Sequence, residues 1–171
     1  MPKKQFTTGE AAEFIGVPRE TLRSWMHKGW AEHVQVERAL TGKWTHFTPG
    51  DVVVLRVAKE FAQFIHPHLA LQAAAMCRAG ILLYKFENRV RSRFVGVALF
   101  LKDGETMACP ASAESVGEFQ NKDWSHETWA SAKPDGSYSA SGLIGPHKPY
   151  MFVILDLAEI PLPATTKEPT E

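Results

Sequence analysis

The sequence has little of what marks a catalytic, metal-binding or secreted chain. It holds two cysteines, Cys77 and Cys109, which are too few for a disulfide framework. It also has no phosphate-binding glycine loop, no nucleophile elbow and no His-Glu-x-x-His zinc pattern. We therefore predict that the protein is not an enzyme, binds no metal ion and needs no cofactor.

An excess of one charge is missing as well, because 19 Lys and Arg balance 19 Asp and Glu. This balance argues against a protein that binds nucleic acid through a strongly basic tail. A local basic face is nevertheless sufficient for recognition of a DNA groove. No apolar leader opens the sequence, and no apolar run approaches the length of a membrane span. We expect a cytoplasmic, nucleoid-associated protein with no membrane partner.

What the chain does contain, in residues 7–28, is the pattern of two short helices joined by a tight turn. Thr8 offers a hydroxyl as the N-cap of the first helix, and Glu10 places an acid in its first turn. Gly16 suits the left-handed residue that ends a helix, and Pro18 suits the first position of the next. The turn is therefore predicted between Gly16 and Pro18.

The second of these helices has an apolar face and a polar face. Leu22, Trp25 and Met26 recur three and four residues apart, so they are expected to face inward. Two helices this short gain most of their stability by packing against other elements. The remaining side chains are left on the outer side: Arg19, Glu20, Arg23, Ser24, His27 and Lys28.

A hairpin and a third helix are predicted next. The segments 34–38 and 43–47 alternate in character around Thr41-Gly42, as the strands of a hairpin do. Thr48-Pro49-Gly50-Asp51 supplies an N-cap hydroxyl, a first-position proline and an acid, and an apolar pattern continues to Ile65. The predicted order is helix, turn, helix, hairpin, helix, in which the hairpin is a wing.

Residues 7 to about 79 resemble the winged helix-turn-helix of the MerR family and the related excisionase-like proteins. The resemblance implies that the second helix enters the major groove of double-stranded DNA while the wing reaches the flanking backbone. It places Arg19, Arg23 and Lys28 against DNA. The motifs that carry it are Thr8-Gly9-Glu10-Ala11-Ala12, Gly16-Val17, Thr21-Leu22-Arg23-Ser24-Trp25, Lys28-Gly29, Phe47-Thr48, Asp51-Val52 and Leu55-Arg56.

Side-chain chemistry assigns roles within this surface. Arg19 and Arg23 would contact bases or phosphates, and Glu20 could accept from a cytosine amino group. Ser24 stands where relatives often carry a tyrosine, and Thr45-His46 where they often carry arginines, so we expect weaker, less salt-sensitive binding. Lys43, Thr45 and His46 are expected to make the contacts of the wing with the DNA backbone. Thr7 and Thr8 are expected to hold a phosphate. Further DNA contacts are expected from Ser24, His27 and Lys28.

The C-terminal part is predicted to be a helix followed by a small sheet, so the fold class is α+β. The helix covers residues 68–79 and ends at Gly80, and the strands are 81–86, 94–101, 105–109 and 149–157, with a hairpin turn at Asp103-Gly104. The predicted units are a winged helix-turn-helix domain (1–66), a connecting helix (67–80), an antiparallel-sheet domain for dimerisation or effector binding (81–160) and a disordered tail (161–171).

Three features of this part allow two interpretations each. The polar stretch at 110–148 is predicted to be a long loop with a short helix at 117–129. Its aromatic residues Trp124, Trp129 and Tyr138 would line an effector pocket or fill a small core. The basic run 89–93 is a phosphate-contacting or partner-binding patch, or a solvated loop. His66, His68 and Cys77 gather around a metal, or the two histidines flank a helix break at Pro67 while Cys77 packs as a small apolar residue.

The sequence as a whole predicts a sequence-specific DNA-binding transcriptional regulator of bacterial or phage origin. No heptad run is present for the coiled coil that usually joins MerR dimers, so we expect a homodimer through the C-terminal domain. A small-molecule or protein effector is a further expected partner. The alternatives are an excisionase-like architectural factor, a phage DNA-packaging subunit and a protein-interaction module on the same scaffold.

Overall fold

The residues that the computed structural model describes form helices first and strands second, which confirms the α+β class. These residues are 5–28, 46–87, 93–102, 105–111, 128–132, 138–143 and 151–163. The helices are α1 (Thr8–Ile15), α2 (Arg19–His27), α3 (Pro49–Phe61), α4 (Pro67–Met76) and α5 (Arg78–Phe86). The strands are β1 (Phe94–Lys102), β2 (Glu105–Ala111), β3 (Thr128–Ala132), β4 (Tyr138–Leu143) and β5 (Met151–Asp156), followed by a 3-10 helix at Leu157–Glu159.

The turn between α1 and α2 is formed as predicted. Gly16 has φ 76° and ψ 40°, the left-handed conformation that a glycine adopts without a side-chain clash. The predicted N-cap of α1 is wrong by one residue, since Thr7 rather than Thr8 accepts from the backbone N–H of Glu10. The reason is the spacing of a capping box, in which the acid stands three residues after the cap.

The helix α3 packs against elements from both ends of the chain. It begins with Thr48 as N-cap and Pro49 as its first residue, as predicted. Its contacts extend to α1, α4, α5 and β5. Burial on several sides explains its nearly continuous apolar sequence, with these residues buried: Val52, Val53, Val54, Leu55, Val57, Ala58 and Phe61.

Of the predicted wing, the structure describes only the last two residues, His46 and Phe47. Phe47 forms an isolated antiparallel bridge with Phe6, in which each backbone N–H donates to the other carbonyl, at 2.8 and 3.0 Å. This bridge joins the residue before the α3 cap to the residue before the α1 cap. The rest of the hairpin at 34–47 lies outside the described residues.

The predicted strand at 81–86 is wrong, because this segment belongs to α5. A short segment with mostly apolar residues fits a strand or a buried helix equally well. The predicted helix 68–79 ends earlier, at Met76, where α4 gives way to α5 through a bend of 62°. Gly80 does not end a helix; it lies inside α5, where an added Cβ would have no atom within 4 Å.

No single helix in the described part of the chain has both the length and the apolar composition of a membrane span. The bent pair of α4 and α5 meets these two criteria only when its members are taken together. Much of α4 is buried inside the protein, at Ala70, Leu71, Ala73, Ala74 and Ala75.

A three-stranded antiparallel sheet has the order β2-β1-β5. It confirms the predicted strands at 94–101 and 105–109, and it confirms the predicted strand at 149–157 over Met151–Asp156. Leu157 instead begins the 3-10 helix, and residues 149–150 lie outside the described residues. Lys102 is paired with Glu105, so two residues, Asp103 and Gly104, connect β1 to β2. Those two residues themselves lie outside the described ranges.

The hairpin of β3 and β4 corrects the prediction of a long loop, and of a short helix reaching Trp129, within 110–148. Both strands consist mostly of small and polar residues, Thr-Trp-Ala-Ser-Ala and Tyr-Ser-Ala-Ser-Gly-Leu. They lack the β-branched apolar residues on which strand prediction depends. The stretch 117–127 lies outside the described residues.

A continuous hydrophobic core runs from the first helices to the sheet. Its members include Phe6 and Trp25 in the N-terminal part and Val97 and Val153 in the sheet. The hydrophobic core therefore continues across the domain boundary predicted at residue 66. The division into domains stays a prediction. The predicted tail is described only over 161–163, where Pro163 is buried.

Candidate nucleic-acid interface

The polar face of α2 is exposed along its length. Leu22 and Trp25 are buried, and Met26 packs partly against the core, which confirms the predicted inward face. Because residues three and four apart share one side of a helix, their burial turns the opposite side outward. The outer residues are all exposed: Arg19, Glu20, Arg23, Ser24, His27 and Lys28.

Arg23 is held by Glu20, one turn earlier on the same helix. Arg23 Nη1 donates to Glu20 Oε1 at 2.9 Å, and the two side chains are 51% and 77% exposed. An ion pair this exposed contributes little to stability, because water and salt screen it. The guanidinium can therefore exchange the carboxylate for a phosphate or a guanine edge at small cost.

The start of α2 has no side-chain cap. Pro18 is the N-cap residue, with φ −56° and ψ 141°, and its side chain makes no capping hydrogen bond. Its carbonyl accepts from the backbone N–H groups of Thr21 and Leu22, at 2.9 and 3.2 Å. The direction of α2 consequently depends on the preceding turn and on the burial of Leu22 and Trp25.

A carboxylate competes with the phosphate predicted at Thr7 and Thr8. The backbone N–H and the hydroxyl of Thr7 both donate to Glu10 Oε2, at 2.8 and 2.9 Å. This carboxylate takes the position in which the start of a helix would stabilise a phosphate. A phosphate contact there stays a prediction, and it requires the Glu10 side chain to move aside.

The predicted wing contacts lie almost entirely outside the described residues. Lys43 and Thr45 belong to that part, whereas His46 is half-buried directly before Phe47. The bridge between Phe47 and Phe6 fixes the end of the predicted wing beside the start of α1. Contacts between these wing residues and DNA stay predictions.

The three aromatic residues predicted to line an effector pocket are only partly described. Trp129 lies in β3 opposite Gly142, and Tyr138 lies in β4 opposite Ala132, so they stand towards different ends of the hairpin. Trp124 lies outside the described residues. The effector pocket stays a prediction.

The side chains considered as metal ligands each have another contact. His66 Nδ1 accepts from the backbone N–H of His68 at 3.2 Å and so caps α4. The buried Cys77 donates to the carbonyl of Gly96, with an Sγ–O distance of 3.6 Å. Within the described ranges, no group of three or more His, Cys, Asp or Glu residues is arranged to hold a metal ion.

The basic run at 89–93 is described only at Arg93. Its Nε donates to Asp156 Oδ1 at 2.7 Å, and its Nη2 pairs with Asp156 Oδ2. The pair joins the residue before β1 to the last residue of β5. A phosphate or partner contact by this run stays a prediction.

Two arginines for which the sequence predicts no contact tie α3 to its neighbours. Arg56 Nη1 donates to the carbonyl of Ile15, at 2.9 Å, across 41 positions of the sequence. Arg78 Nη2 donates to Asp51 Oδ1, also at 2.9 Å, across 27 positions. Sequence reasoning missed both because neither partner is local.

Two short helices joined by a glycine turn, with a buried apolar face and an exposed polar face on the second, have the arrangement of a helix-turn-helix. Residues 6–64 match the family model described as MerR HTH family regulatory protein. The N-terminal region is therefore a MerR-type helix-turn-helix, the type found in DNA-binding transcription regulators. No curated protein matches the chain.

Proposed function

We propose that this chain is a sequence-specific DNA-binding transcriptional regulator of bacterial or phage origin. In this proposal α2 enters the major groove and the wing at 34–47 follows the backbone. The observation that carries it is the exposure of all six polar side chains predicted for the outer side of α2, while Leu22 and Trp25 anchor the helix inside. The family match over residues 6–64 supports the same role and points away from catalysis.

The chemistry of α2 suits direct recognition of bases. Arginine donates two hydrogen bonds to guanine, and a carboxylate accepts from the cytosine amino group. Arg23 and Glu20 are already paired at 2.9 Å, so the surface offers a donor and an acceptor side by side. Contact with neighbouring G·C and C·G pairs would replace that exposed ion pair with two base contacts.

The roles proposed for the C-terminal part are dimerisation and effector binding. A homodimer would present two copies of α2 to successive major grooves, which lie about 34–36 Å apart along the duplex. Its binding sites would then be inverted repeats with that spacing. If sedimentation of the complex shows one protein copy per binding site, the proposed dimer is wrong. The assignment of α2 as the recognition helix would not be affected.

Replacement of Arg23 by Ala tests the base contact. A duplex selected from a random pool is titrated with the wild type and the variant at several salt concentrations. If Arg23 is bidentate to guanine, binding should weaken by ~1–3 kcal/mol and selectivity at that base should relax. A loss that is equal for all sequences, with a salt slope smaller by about 1, would assign Arg23 to a phosphate instead.

Arg93 supplies a matched control, since its side chain is 52% exposed and paired with one carboxylate, much like that of Arg23. Arg93→Ala should leave selectivity unchanged, and a phosphate contact of the 89–93 run would lower affinity equally for all sequences. Equal losses in both variants would indicate diffuse attraction rather than recognition by α2. A chain that enriches no duplex from the pool at low salt would instead support the protein-interaction alternative.

The selected sites also separate the remaining DNA-binding alternatives. A regulator should protect a single operator beside a promoter. An excisionase-like factor should bind several adjacent sites and bend the duplex, which changes its gel mobility according to the position of the site. A packaging subunit should favour one phage sequence and bind a large ATPase.

A further inference from the structure

The C-terminal end of α1 is completed by a side chain from another helix. The last four carbonyls of an α-helix have no partner within the helix. Here the backbone N–H groups of Gly16 and Val17 donate to Ala12, at 2.9 and 3.1 Å, and that of Gly16 also donates to Glu13, at 3.1 Å. Two carbonyls, those of Phe14 and Ile15, remain for another donor.

Arg56 of α3 is that donor. Its Nη1 lies 2.9 Å from the carbonyl oxygen of Ile15 and 3.4 Å from that of Phe14. The last turn of α1 contains no basic residue, so the cation that suits the negative end of a helix dipole comes from α3. Hydrogen bonds from a charged donor are stronger than those between neutral groups.

The same guanidinium is fixed from its other side. Arg56 Nη2 forms an ion pair with Glu60 Oε1, at 3.0 Å, one turn along α3. The Nε atom is buried and has no hydrogen-bond partner in the part of the chain that the structure describes. The planar group is thus held between α3 and the end of α1, which is a geometry that a flexible ammonium cannot reproduce.

Gly16 fits this arrangement in two ways. Its left-handed backbone ends α1, and its open side lets the guanidinium approach closely. A Cβ added at Gly16 would lie 2.9 Å from Arg56 Nη1, closer than van der Waals contact allows. The turn between the two helices and the side chain of Arg56 therefore occupy one fitted site.

We propose that Arg56 is a positioning residue that sets the direction of α2 relative to α3, and through it the accuracy of base recognition. Since α2 has no side-chain cap of its own, the turn that Arg56 fixes determines where the helix starts. Its terminal nitrogens contact protein atoms, so it acts through α2 without touching DNA. This inference rests on the proposed function, because it assumes that α2 recognises bases.

The test compares selectivity rather than affinity alone. Arg56→Met keeps an apolar stem and removes every donor, whereas Arg56→Lys keeps the charge without the planar group. Lys59→Met is a matched control on the same helix. Lys59 also pairs with Glu60, at 3.1 Å, and is 29% exposed against 24% for Arg56, so it loses one charge of similar exposure.

Binding to a selected duplex and to a scrambled duplex is measured for each variant, with circular dichroism at the same temperature to show that it is folded. Arg56→Met should lower the ratio of the two affinities by about tenfold, an amount comparable to one mismatched base pair. Arg56→Lys should give an intermediate ratio, and Lys59→Met should keep the wild-type ratio. Non-specific binding should fall equally in Arg56→Met and Lys59→Met, because each loses one charge.

A folded Arg56 variant whose ratio equals that of Lys59→Met would overturn the inference. If Arg56→Met does not fold, Arg56→Lys decides, and a wild-type ratio in that variant has the same consequence. Arg23→Ala separates this failure from failure of the proposed function. When Arg23→Ala loses selectivity and the Arg56 variants do not, only the positioning role is wrong; when none loses it, α2 is not the recognition helix.

Discussion

The helices α1 and α3 begin with the same capping motif in very different surroundings. At α1, the backbone N–H and hydroxyl of Thr7 donate to Glu10, and the N–H of Glu10 donates back at 3.3 Å. At α3, the same three bonds join Thr48 and Asp51, at 2.9, 2.8 and 3.2 Å. Glu10 is exposed, whereas Asp51 is 1% exposed.

The difference teaches that a local motif determines the geometry of a helix start, while burial determines how much that motif contributes to the free energy of unfolding. A buried carboxylate needs an opposite charge, because the cost of removing it from water exceeds what capping bonds return. Asp51 obtains that charge from Arg78, the first residue of α5. The motif at α3 thus connects the helix-turn-helix to the C-terminal helices, whereas the capping bonds at α1 join residues at the start of that one helix.

Removal of the acid should therefore lower the free energy of unfolding much more at α3 than at α1. Asp51→Ala takes away the carboxylate that faces Arg78, whose side chain is only 19% exposed, and should lower the free energy of unfolding by ~3–5 kcal/mol. Glu10→Ala removes an exposed capping partner and should cost ~1 kcal/mol or less. Urea unfolding followed by circular dichroism measures both losses, and similar values would contradict the role given to burial.

A double-mutant cycle shows how much of the larger loss belongs to the pair. Arg78→Met alone leaves the carboxylate of Asp51 buried, and it should cost about as much as Asp51→Ala. The double variant should lose clearly less than the sum of the two single losses, because no charge is then left without its partner. Simple additivity would mean that Asp51 acts only as a cap.

The hydroxyls of the two N-caps give a finer comparison. Thr7→Ala should lower the free energy of unfolding by ~1 kcal/mol, the usual cost of losing an N-cap. Thr48→Ala should cost about 2 kcal/mol, because it also withdraws a hydrogen bond from the buried Asp51. Thr48→Ser keeps the hydroxyl and serves as the control. Equal losses in the two alanine variants would show that burial does not affect the cap itself.

These two motifs also show what the sequence could predict. The start of α3 follows from Thr48 and Pro49 alone, because capping and the fixed φ of proline act within a few residues. The inward side of α2 follows from the spacing of Leu22 and Trp25, and the outward side then contains the candidate site. Both depend on local periodicity and chemistry, and both predictions are confirmed.

What the sequence could not predict depends on distant contacts. The segment 81–86 has apolar residues that suit either a strand or a helix. It is helical in the structure, where Ile81 is buried. Leu82 packs so close to Gly50 that a Cβ added to this glycine would lie 3.1 Å from Leu82 Cδ2. The burial of Asp51 and the cap supplied by Arg56 depend on partners many positions away. No periodicity records such pairs, so these two long-range contacts of α3 could not be predicted.

A third acid at a helix start extends the comparison to a small effect that depends on pH. Asp156 caps the 3-10 helix by accepting from the backbone N–H of Ala158, at 2.9 Å, and it pairs with Arg93. The hydrogen bond from Arg93 is the main reason that the pKa of Asp156 lies below its usual value, and the Ala158 bond acts in the same direction. A lowered pKa in the folded state gives stability that is present above the unfolded pKa, near 3.8, and is lost as the pH falls through the folded value.

Both members of this pair are partly or largely exposed, so the effect should be smaller than that of any capping variant above and should weaken in salt. Asp156→Asn should reduce the loss of stability between about pH 5 and pH 3, because asparagine keeps a capping oxygen but does not titrate. Urea unfolding at several pH values measures this difference. Parallel curves for wild type and variant would show that an exposed paired acid contributes nothing, which would make the contrast with the buried Asp51 sharper still.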